Sequence, residues 1–152
     1  MKKILLALTA VFVLALTVQA QPEMDFERTT HDFGTLKQHG DATYEFMFTN
    51  TGNEALIIQN AKGSCGCTVP EWPRYPIEPG KTDKIKVKYD SKRLGPINKS
   101  VTIKYPTGET DAEGQPVLAT EVLRIKGKIE AAPKADESAM PVKEPTMAPS
   151  AN

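Results

Sequence analysis

Apolar and polar side chains alternate with a period of two along several short stretches, and this alternation restricts the fold more than any other feature. Residues 84–89 read KIKVKY, with lysine at every even position and Ile, Val or Tyr at every odd one. Residues 43–49 (TYEFMFT) and 101–105 (VTIKY) repeat the pattern, and Leu123, Ile125 and Ile129 continue it. Successive side chains of a β-strand point to opposite faces of a sheet, so each stretch predicts a strand with one buried face. After residue 20 no stretch shows sustained helical periodicity.

Turn signals separate these stretches, at Asn50-Thr51-Gly52-Asn53 and at Pro79-Gly80. Leu56-Ile57-Ile58 is predicted to open a further strand, and Phe26 and Phe33 mark one or two short ones. About seven short strands with turns between them predict an all-β fold, an antiparallel β-sandwich of two sheets over residues 23–130.

The first twenty residues read as a secretory signal peptide. Lys2 and Lys3 are followed by an apolar run from Ile4 to Val18, and the small residue Ala20 fits the −1 position of signal peptidase. We expect residues 1–20 to form a signal helix that is removed by cleavage between Ala20 and Gln21. The apolar run is shorter than the roughly 20 residues of a membrane-spanning helix, which disfavours an N-terminal anchor. No cysteine lies near the cleavage point to carry a lipid.

The C-terminal residues 131–152 have a different composition from the rest. They hold four of the twelve prolines and no aromatic residue, which predicts a disordered Pro/Ala-rich tail. Residues 1–20 contain two of the 19 basic residues and none of the 19 acidic ones, so the remainder has a formal charge of −2. A near-neutral chain gives no electrostatic footprint for nucleic acid or an anionic membrane. For the same reason the lysines at 84, 86 and 88 are better explained as a solvated face than as a site for an anionic polymer.

Prolines recur at every third position between residues 70 and 79 (PEWPRYPIEP). This spacing matches the three-residue turn of polyproline II, so the segment is predicted to be stiff and extended. Two interpretations are a peptide ligand for an aromatic groove and a rigid crossover between the two sheets, with Trp72 capping the core. Proline-groove recognition is chiefly an intracellular device, which favours the crossover.

Cys65 and Cys67 are the only cysteines, and they lie two residues apart in a chain predicted to be exported. Disulfides persist outside the cytosol. A bridge between them needs a bend, which Gly66 would permit, with Ser64 adding turn character. A loop this small contributes little entropic stabilisation, and a strained bridge is easily reduced.

Three roles for this pair remain open from the residues alone. The bridge could be a local staple, or Cys65 and Cys67 could perform thiol redox chemistry. They could also bind a soft ion such as Cu(I), or zinc together with His31 and His39, although the spacing matches no usual zinc site. No catalytic motif, phosphate loop or metal motif is evident, so we expect no catalytic residue, cofactor or resident metal. His31 and Asp32 are neighbours on a predicted strand and face opposite ways, which argues against an acid–base pair.

Several motifs together resemble the domain-of-unknown-function 1573 family of exported bacterial proteins. They are Phe33-Gly34, Phe48-Thr49-Asn50-Thr51-Gly52, Ser64 to Thr68 (SCGCT), Pro76-Ile77-Glu78-Pro79-Gly80 and Lys92-Arg93-Leu94-Gly95. The resemblance covers about residues 26–105. It implies an immunoglobulin-like sandwich similar to the ciliary and major-sperm-protein-type domains. It implies no activity.

These observations predict an exported, periplasmic or secreted, non-enzymatic binding or structural module of the cell envelope. We expect an unidentified protein or peptide partner, no nucleic acid, and no membrane insertion after signal cleavage. The alternative is a thiol redox or soft-metal-handling protein using Cys65 and Cys67, with Ser64, Gly66, Thr68 and Trp72 as the site's surroundings. A third possibility is that a partner peptide adds as a strand at an open sheet edge.

Overall fold

A computed structural model describes residues 21–132, and these residues form eight β-strands. The strands are β1 (Met24–Phe26), β2 (Thr30–Lys37), β3 (Thr43–Asn50), β4 (Asn60–Gly63), β5 (Thr68–Glu71), β6 (Thr82–Tyr89), β7 (Gly95–Thr110) and β8 (Pro116–Glu130). The predicted signal helix, its cleavage at Ala20 and the predicted tail lie outside the described residues, except Gln21 and the first two tail residues.

The strands form two four-stranded sheets. Sheet I has the order β1-β3-β6-β5 and sheet II the order β2-β8-β7-β4. The predicted two-sheet sandwich is confirmed, with two refinements. Residues 21–132 form eight strands, and within them β2 pairs with β8 in parallel while every other pair is antiparallel. The parallel pair arises because residues 27–29 move the chain from sheet I to sheet II instead of turning it back in a hairpin.

The core is built from the apolar positions of the alternating stretches. Phe46, Phe48, Ile85 and Val87 of sheet I are fully buried, and Ile103 of sheet II lies opposite them with no exposed surface. The even-numbered lysines of β6 face outward, as predicted. Lys84 pairs with Glu45 at 2.8 Å and Lys86 with Glu71 at 3.5 Å. These cross-strand acids balance the lysines, which supports their interpretation as a solvated face.

The strand predicted at Leu56-Ile57-Ile58 is absent. Leu56 makes only an isolated antiparallel bridge with Ile77, and β4 begins at Asn60. Leu56 and Ile58 are buried all the same. Their apolar character therefore reflects burial in the core and not strand pairing.

The proline-rich segment does not cross between the sheets, so that prediction is wrong. β5 and β6 are antiparallel neighbours in sheet I, and residues 72–81 connect them on one side of the sandwich. The crossover lies earlier, between β4 of sheet II and β5 of sheet I, where Ser64 to Cys67 join the two strands. Trp72 does pack against the core, half-buried at the end of β5.

Aromatic contacts join the two sheets at β2 and β3. The His31 ring stacks on Tyr44 with centroids 3.6 Å apart and planes within 10° of parallel, and Phe33 meets His31 edge-on at 4.6 Å. Burial lowers the pKa of His31, nearby Arg28 lowers it further, and Asp32 opposes both effects.

We therefore expect acid to destabilise the fold through His31. Because its pKa is lower in the folded state, the unfolded chain binds the proton more readily, and stability falls as pH drops below about 6.5. His31→Phe retains an aromatic ring without a titrating group. Chemical unfolding at pH 7.5 and pH 5 should show a smaller acid-induced loss for His31→Phe than for the unaltered protein. Equal losses would contradict this role.

Candidate functional site

Cys65 and Cys67 lie in the crossover between the sheets, where they are paired as a disulfide with Cα atoms 5.2 Å apart. The backbone N–H of Thr68 donates to the carbonyl of Cys65 at 3.1 Å and closes a tight turn around the pair. The bridge therefore sits where the chain leaves sheet II and enters sheet I.

Hydrogen bonds hold both ends of this turn to the neighbouring strands. Ser64 N–H donates to the Ser100 carbonyl at 2.8 Å, and the Ser64 hydroxyl accepts from Ser100 N–H at 3.1 Å. On the other side, Asp90 N–H donates to the Cys67 carbonyl at 2.8 Å. The crossover is thus anchored to β7 and to the end of β6 independently of the sulfur–sulfur bond.

The two sulfurs differ in exposure and share one hydroxyl neighbour. Cys67 is buried, and Cys65 is half-buried at the surface. The buried Thr68 hydroxyl lies 3.5 Å from Cys65 Sγ and 3.8 Å from Cys67 Sγ. A hydroxyl in this position can donate a hydrogen bond to a thiolate if the bridge is reduced.

The bend that Gly66 permits does not use a backbone conformation reserved for glycine. Gly66 does not adopt a positive φ, and a Cβ added there would meet nothing within 4 Å. The sterically required glycine is Gly63, where an added Cβ would overlap the Thr68 carbonyl oxygen. At Gly63 the end of β4 passes so close to the start of β5 that no side chain fits between them.

The structure brings Ser64, Gly66 and Thr68 to the cysteines but leaves Trp72 at the opposite end of β5. The Arg74 guanidinium lies 3.8 Å from the centre of the Trp72 ring, and the indole N–H is buried without a hydrogen-bond partner in the described part of the chain. Trp72 therefore belongs to the edge of sheet I and not to the disulfide site.

Neither histidine joins the cysteine pair. Among residues 21–132, no three His, Cys, Asp or Glu side chains gather as a metal ion would require. His31 belongs to the aromatic stack, and His39 borders a groove of about 330 Å³ with Asp41 and Asp90. The zinc set considered from the sequence does not form in the described residues.

A second candidate site is the first half of β8, an open edge whose position the sequence did not indicate. β7 and β8 form a long hairpin, but β2 pairs with β8 only from Arg124 onward. No other strand among residues 21–132 pairs with residues 116–123 on the side away from β7. Val117, Leu118 and Val122 on this half-strand are 36–39% exposed. An unpaired strand edge with exposed apolar side chains is a template for pairing with another chain.

The sequence carried a signal for this edge. Residues 116–123 read PVLATEVL, with apolar side chains at both odd and even positions, whereas a half-buried strand alternates. Leu123 is buried in the core and Ala119 packs against it, so it is the apolar side chains on the other face, Leu118 and Val122, that predict a contact beyond the sandwich. Locating the open edge also requires knowing which strands are neighbours in the sheet, and the pattern of a single strand does not contain that information.

The tip of the same hairpin is acidic. Glu109, Asp111 and Glu113 are all exposed there, and Asp111 accepts hydrogen bonds from the backbone N–H groups of Glu113 and Gln115 at 3.0 and 2.7 Å. The described residues contain no helix that could span a membrane.

Comparison with known proteins identifies the family. The model described as "Protein of unknown function (DUF1573)" matches residues 24–129. The chain belongs to this family. The match confirms the resemblance drawn from the sequence motifs. No curated protein shows significant sequence similarity to this DUF1573 chain.

Solved structures share the fold of this DUF1573 domain at low sequence identity. PapD-like domain 7 of human CEP192 superposes with a TM-score of 0.54 at 10% identity, covering 79% of this chain and 94% of that domain. The E. coli chaperone DraB gives 0.52 at 7% identity, covering 71% and 56%. The Vibrio cholerae VesB protease gives 0.53 at 15% identity, covering 71% of this chain and 32% of the protease. The DUF1573 chain therefore spans only about a third of VesB and about half of DraB. These likenesses support an immunoglobulin-like β-sandwich fold.

Proposed function

We propose that this protein is an exported, non-enzymatic module of the bacterial cell envelope that binds a protein or peptide partner. The observation that carries the proposal is the β7–β8 hairpin, whose second strand has exposed apolar side chains and an edge that no strand of residues 21–132 pairs with. A strand that served only the core would need neither an open edge nor exposed apolar side chains. The chaperone DraB and the CEP192 domain support the choice as modules with the same fold.

The distribution of titratable groups supports a non-enzymatic role. Catalytic groups usually gather in a cleft with shifted pKa values. In the described residues the shifted groups are scattered. Burial lowers the pKa of His31, a hydrogen bond to Asp83 raises that of Tyr75, burial raises that of Tyr105, and Lys128 lowers that of Glu130.

Binding is tested by site-specific photo-crosslinking in cells. A photoreactive amino acid placed singly at the exposed positions Val69, Leu94 and Leu118 should give at least one discrete, light-dependent adduct in the envelope fraction. A non-irradiated sample controls for background. The absence of adducts from all three positions would contradict a binding role.

Export makes a separate prediction. The mature chain should begin at Gln21, and Ala20→Glu should block cleavage because the −1 pocket accepts only small side chains. Intact-mass measurement of the protein from the envelope fraction should show loss of residues 1–20, and the variant should retain them. Gln19→Glu is the matched control, since the same charge at −2 should leave processing unchanged. A full-length unaltered protein in the cytosol would exclude export.

Thiol redox chemistry is the second candidate, because the Thr68 hydroxyl contacts both sulfurs and Cys65 reaches the surface. Redox titration followed by alkylation and mass spectrometry measures the potential of the Cys65–Cys67 pair. A potential below about −300 mV, the range of inert structural disulfides, would exclude this role. A higher potential, with loss of a cellular phenotype in the double Cys→Ala variant, would support it.

A further inference from the structure

We infer that the first half of β8, residues 116–123, binds an extended segment of a partner protein, which adds to sheet II as a further strand. This inference rests on the proposed function as a binding module and names the surface and the chemistry of its ligand. Three observations carry it: the direction of the backbone groups, the exposed side chains, and the condition of the other sheet edges.

The backbone groups of this half-strand point away from β7 at alternate residues. Arg124 N–H donates to the Thr29 carbonyl at 2.8 Å, so the amide of Arg124 faces away from β7. In an antiparallel ladder the direction alternates along the strand, so the N–H and C=O groups of Leu118, Thr120 and Val122 face the same way. β2 begins at Thr30, opposite Arg124, and leaves these groups open. An added strand would supply their partners.

The side chains of the open half-strand are apolar where a bound strand would contact them. Among residues 21–132 seven large hydrophobic side chains are exposed, and three of them are Val117, Leu118 and Val122. Leu118 and Val122 share the outer face of sheet II with Thr120 between them. Strand edges are commonly protected by lysine or other charges. Leu118, Thr120 and Val122, the three positions on the outer face, carry no charged side chain.

The free edge of β5, by contrast, is closed to strand addition. Asp90 N–H donates to the Cys67 carbonyl, so residues 67, 69 and 71 face β6 while Thr68 and Pro70 face the free side. Pro70 has no N–H, and Thr68 N–H is already bonded to the Cys65 carbonyl. No backbone donor remains on that edge.

The remaining edges are short or irregular. β1 has three residues and β4 has four, including the charged Lys62. β2 is longer, but its pairing shifts register between Asp32 and Thr35, and the Asp32 carboxylate accepts the hydrogen bond of Gly34 N–H at 2.8 Å. A bulge of this kind protects an edge from pairing. Unlike these edges, the open half of β8 is eight residues long, and its ladder with β7 has no register shift from Leu118 onward.

The geometry also specifies the ligand. It is an extended segment with apolar side chains at alternate positions, which can lie beside Leu118 and Val122. It carries basic residues at the end near the hairpin tip, opposite Glu109, Asp111 and Glu113. A second copy of the chain fits less well, because pairing two β8 edges antiparallel would bring the tip of each hairpin against the start of the other copy's β2.

The inference is tested with a synthetic peptide of ten residues, alternating Val and Thr with Lys at both ends. Amide hydrogen exchange of the isotopically labelled mature chain is followed by NMR with and without the peptide. The amides of Leu118, Thr120 and Val122 should exchange rapidly in the free protein and slow by about tenfold or more with saturating peptide. Protection of those amides without peptide, or peptide-induced protection confined to β2 or β4, would overturn the inference.

Two variants at Thr120 test whether the peptide pairs with the backbone of β8. Thr120→Pro removes the central outward N–H without touching the ladder to β7 and should weaken peptide binding by about tenfold or more, whereas Thr120→Val keeps that N–H and should change binding by less than about twofold. Should the proline variant fail to fold, Leu118→Asp serves the same purpose, with Val69→Asp as a matched control on an exposed side chain elsewhere. Equal binding by Leu118→Asp and the unaltered protein would overturn the inference.

The crosslinking experiment separates the two levels of the proposal. Adducts from Leu118 but not from Val69 or Leu94 support the β8 edge. Adducts only from Val69 or Leu94 overturn this inference and leave the binding function intact. The absence of adducts from all three positions overturns both. A dimer linked through Leu118 of two copies supports self-association and overturns the assignment to a partner protein.

Discussion

Asn50→Asp should lower the free energy of unfolding by about 3–5 kcal/mol, although the two side chains have nearly the same shape. Asn50 is fully buried at the end of β3. Its side-chain N–H groups donate to the carbonyls of Glu54 at 2.7 Å and Ile77 at 2.8 Å, and its side-chain oxygen accepts from Gly52 N–H at 3.1 Å. Aspartate replaces both donors by an oxygen that faces two carbonyl oxygens in a buried site.

The pH dependence separates this electrostatic effect from a packing defect. Burial raises the pKa of a carboxyl, so folded Asn50→Asp would bind a proton more tightly than the unfolded chain does. The variant should therefore lose further stability as pH rises above about 4, and its deficit should be smallest in acid. Urea unfolding at pH 4 and pH 7 measures the difference. Asn53→Asp is the matched control, because Asn53 is exposed and keeps its accepting oxygen toward Gln21 N–H. Equal losses in the two variants would contradict the role of Asn50.

The sequence predicted a turn at residues 50–53 but not its buried anchor. Asparagine is common in turns because of its own local hydrogen bonds, and such bonds were the basis of the prediction. The decisive partner, Ile77, is 27 residues away. A hydrogen bond over that separation depends on which segments the fold brings together, and the turn motif alone does not specify it.

The same distinction between local and long-range information explains which other features of the fold could be predicted from the sequence. Alternation correctly predicted the strands containing Phe46, Ile85 and Val101, because the period of a strand is local. Proline spacing indicates an extended segment but does not specify which sheet the next strand joins. The predicted crossover at residues 70–79 therefore lies in the wrong place, and the actual one is at residues 64–67. The open edge of β8 was missed for the same reason. Its position depends on where β2 begins to pair.

Gly63→Ala should be the more damaging of two glycine substitutions beside the disulfide. We expect it to cost about 3 kcal/mol, because the new methyl group would overlap the Thr68 carbonyl oxygen. That oxygen cannot move away easily. Thr68 is buried, its N–H is bonded to Cys65, and β5 is paired with β6. Relief of the overlap would require β4 and β5 to separate at the crossover.

Gly66→Ala is the matched control, three residues further along the same turn. A Cβ there meets nothing within 4 Å, so the free energy of unfolding should change by no more than about 1 kcal/mol. Alanine also restricts the unfolded chain more than glycine does, which favours the folded state. Urea unfolding of both variants should show a lower midpoint with an unchanged slope for Gly63→Ala alone. If Gly66→Ala proved the more damaging, the bend at the disulfide would depend on backbone freedom between the cysteines. If Gly63→Ala is the more damaging, the close approach of β4 and β5 sets the crossover, and the disulfide forms across a turn already held by the backbone.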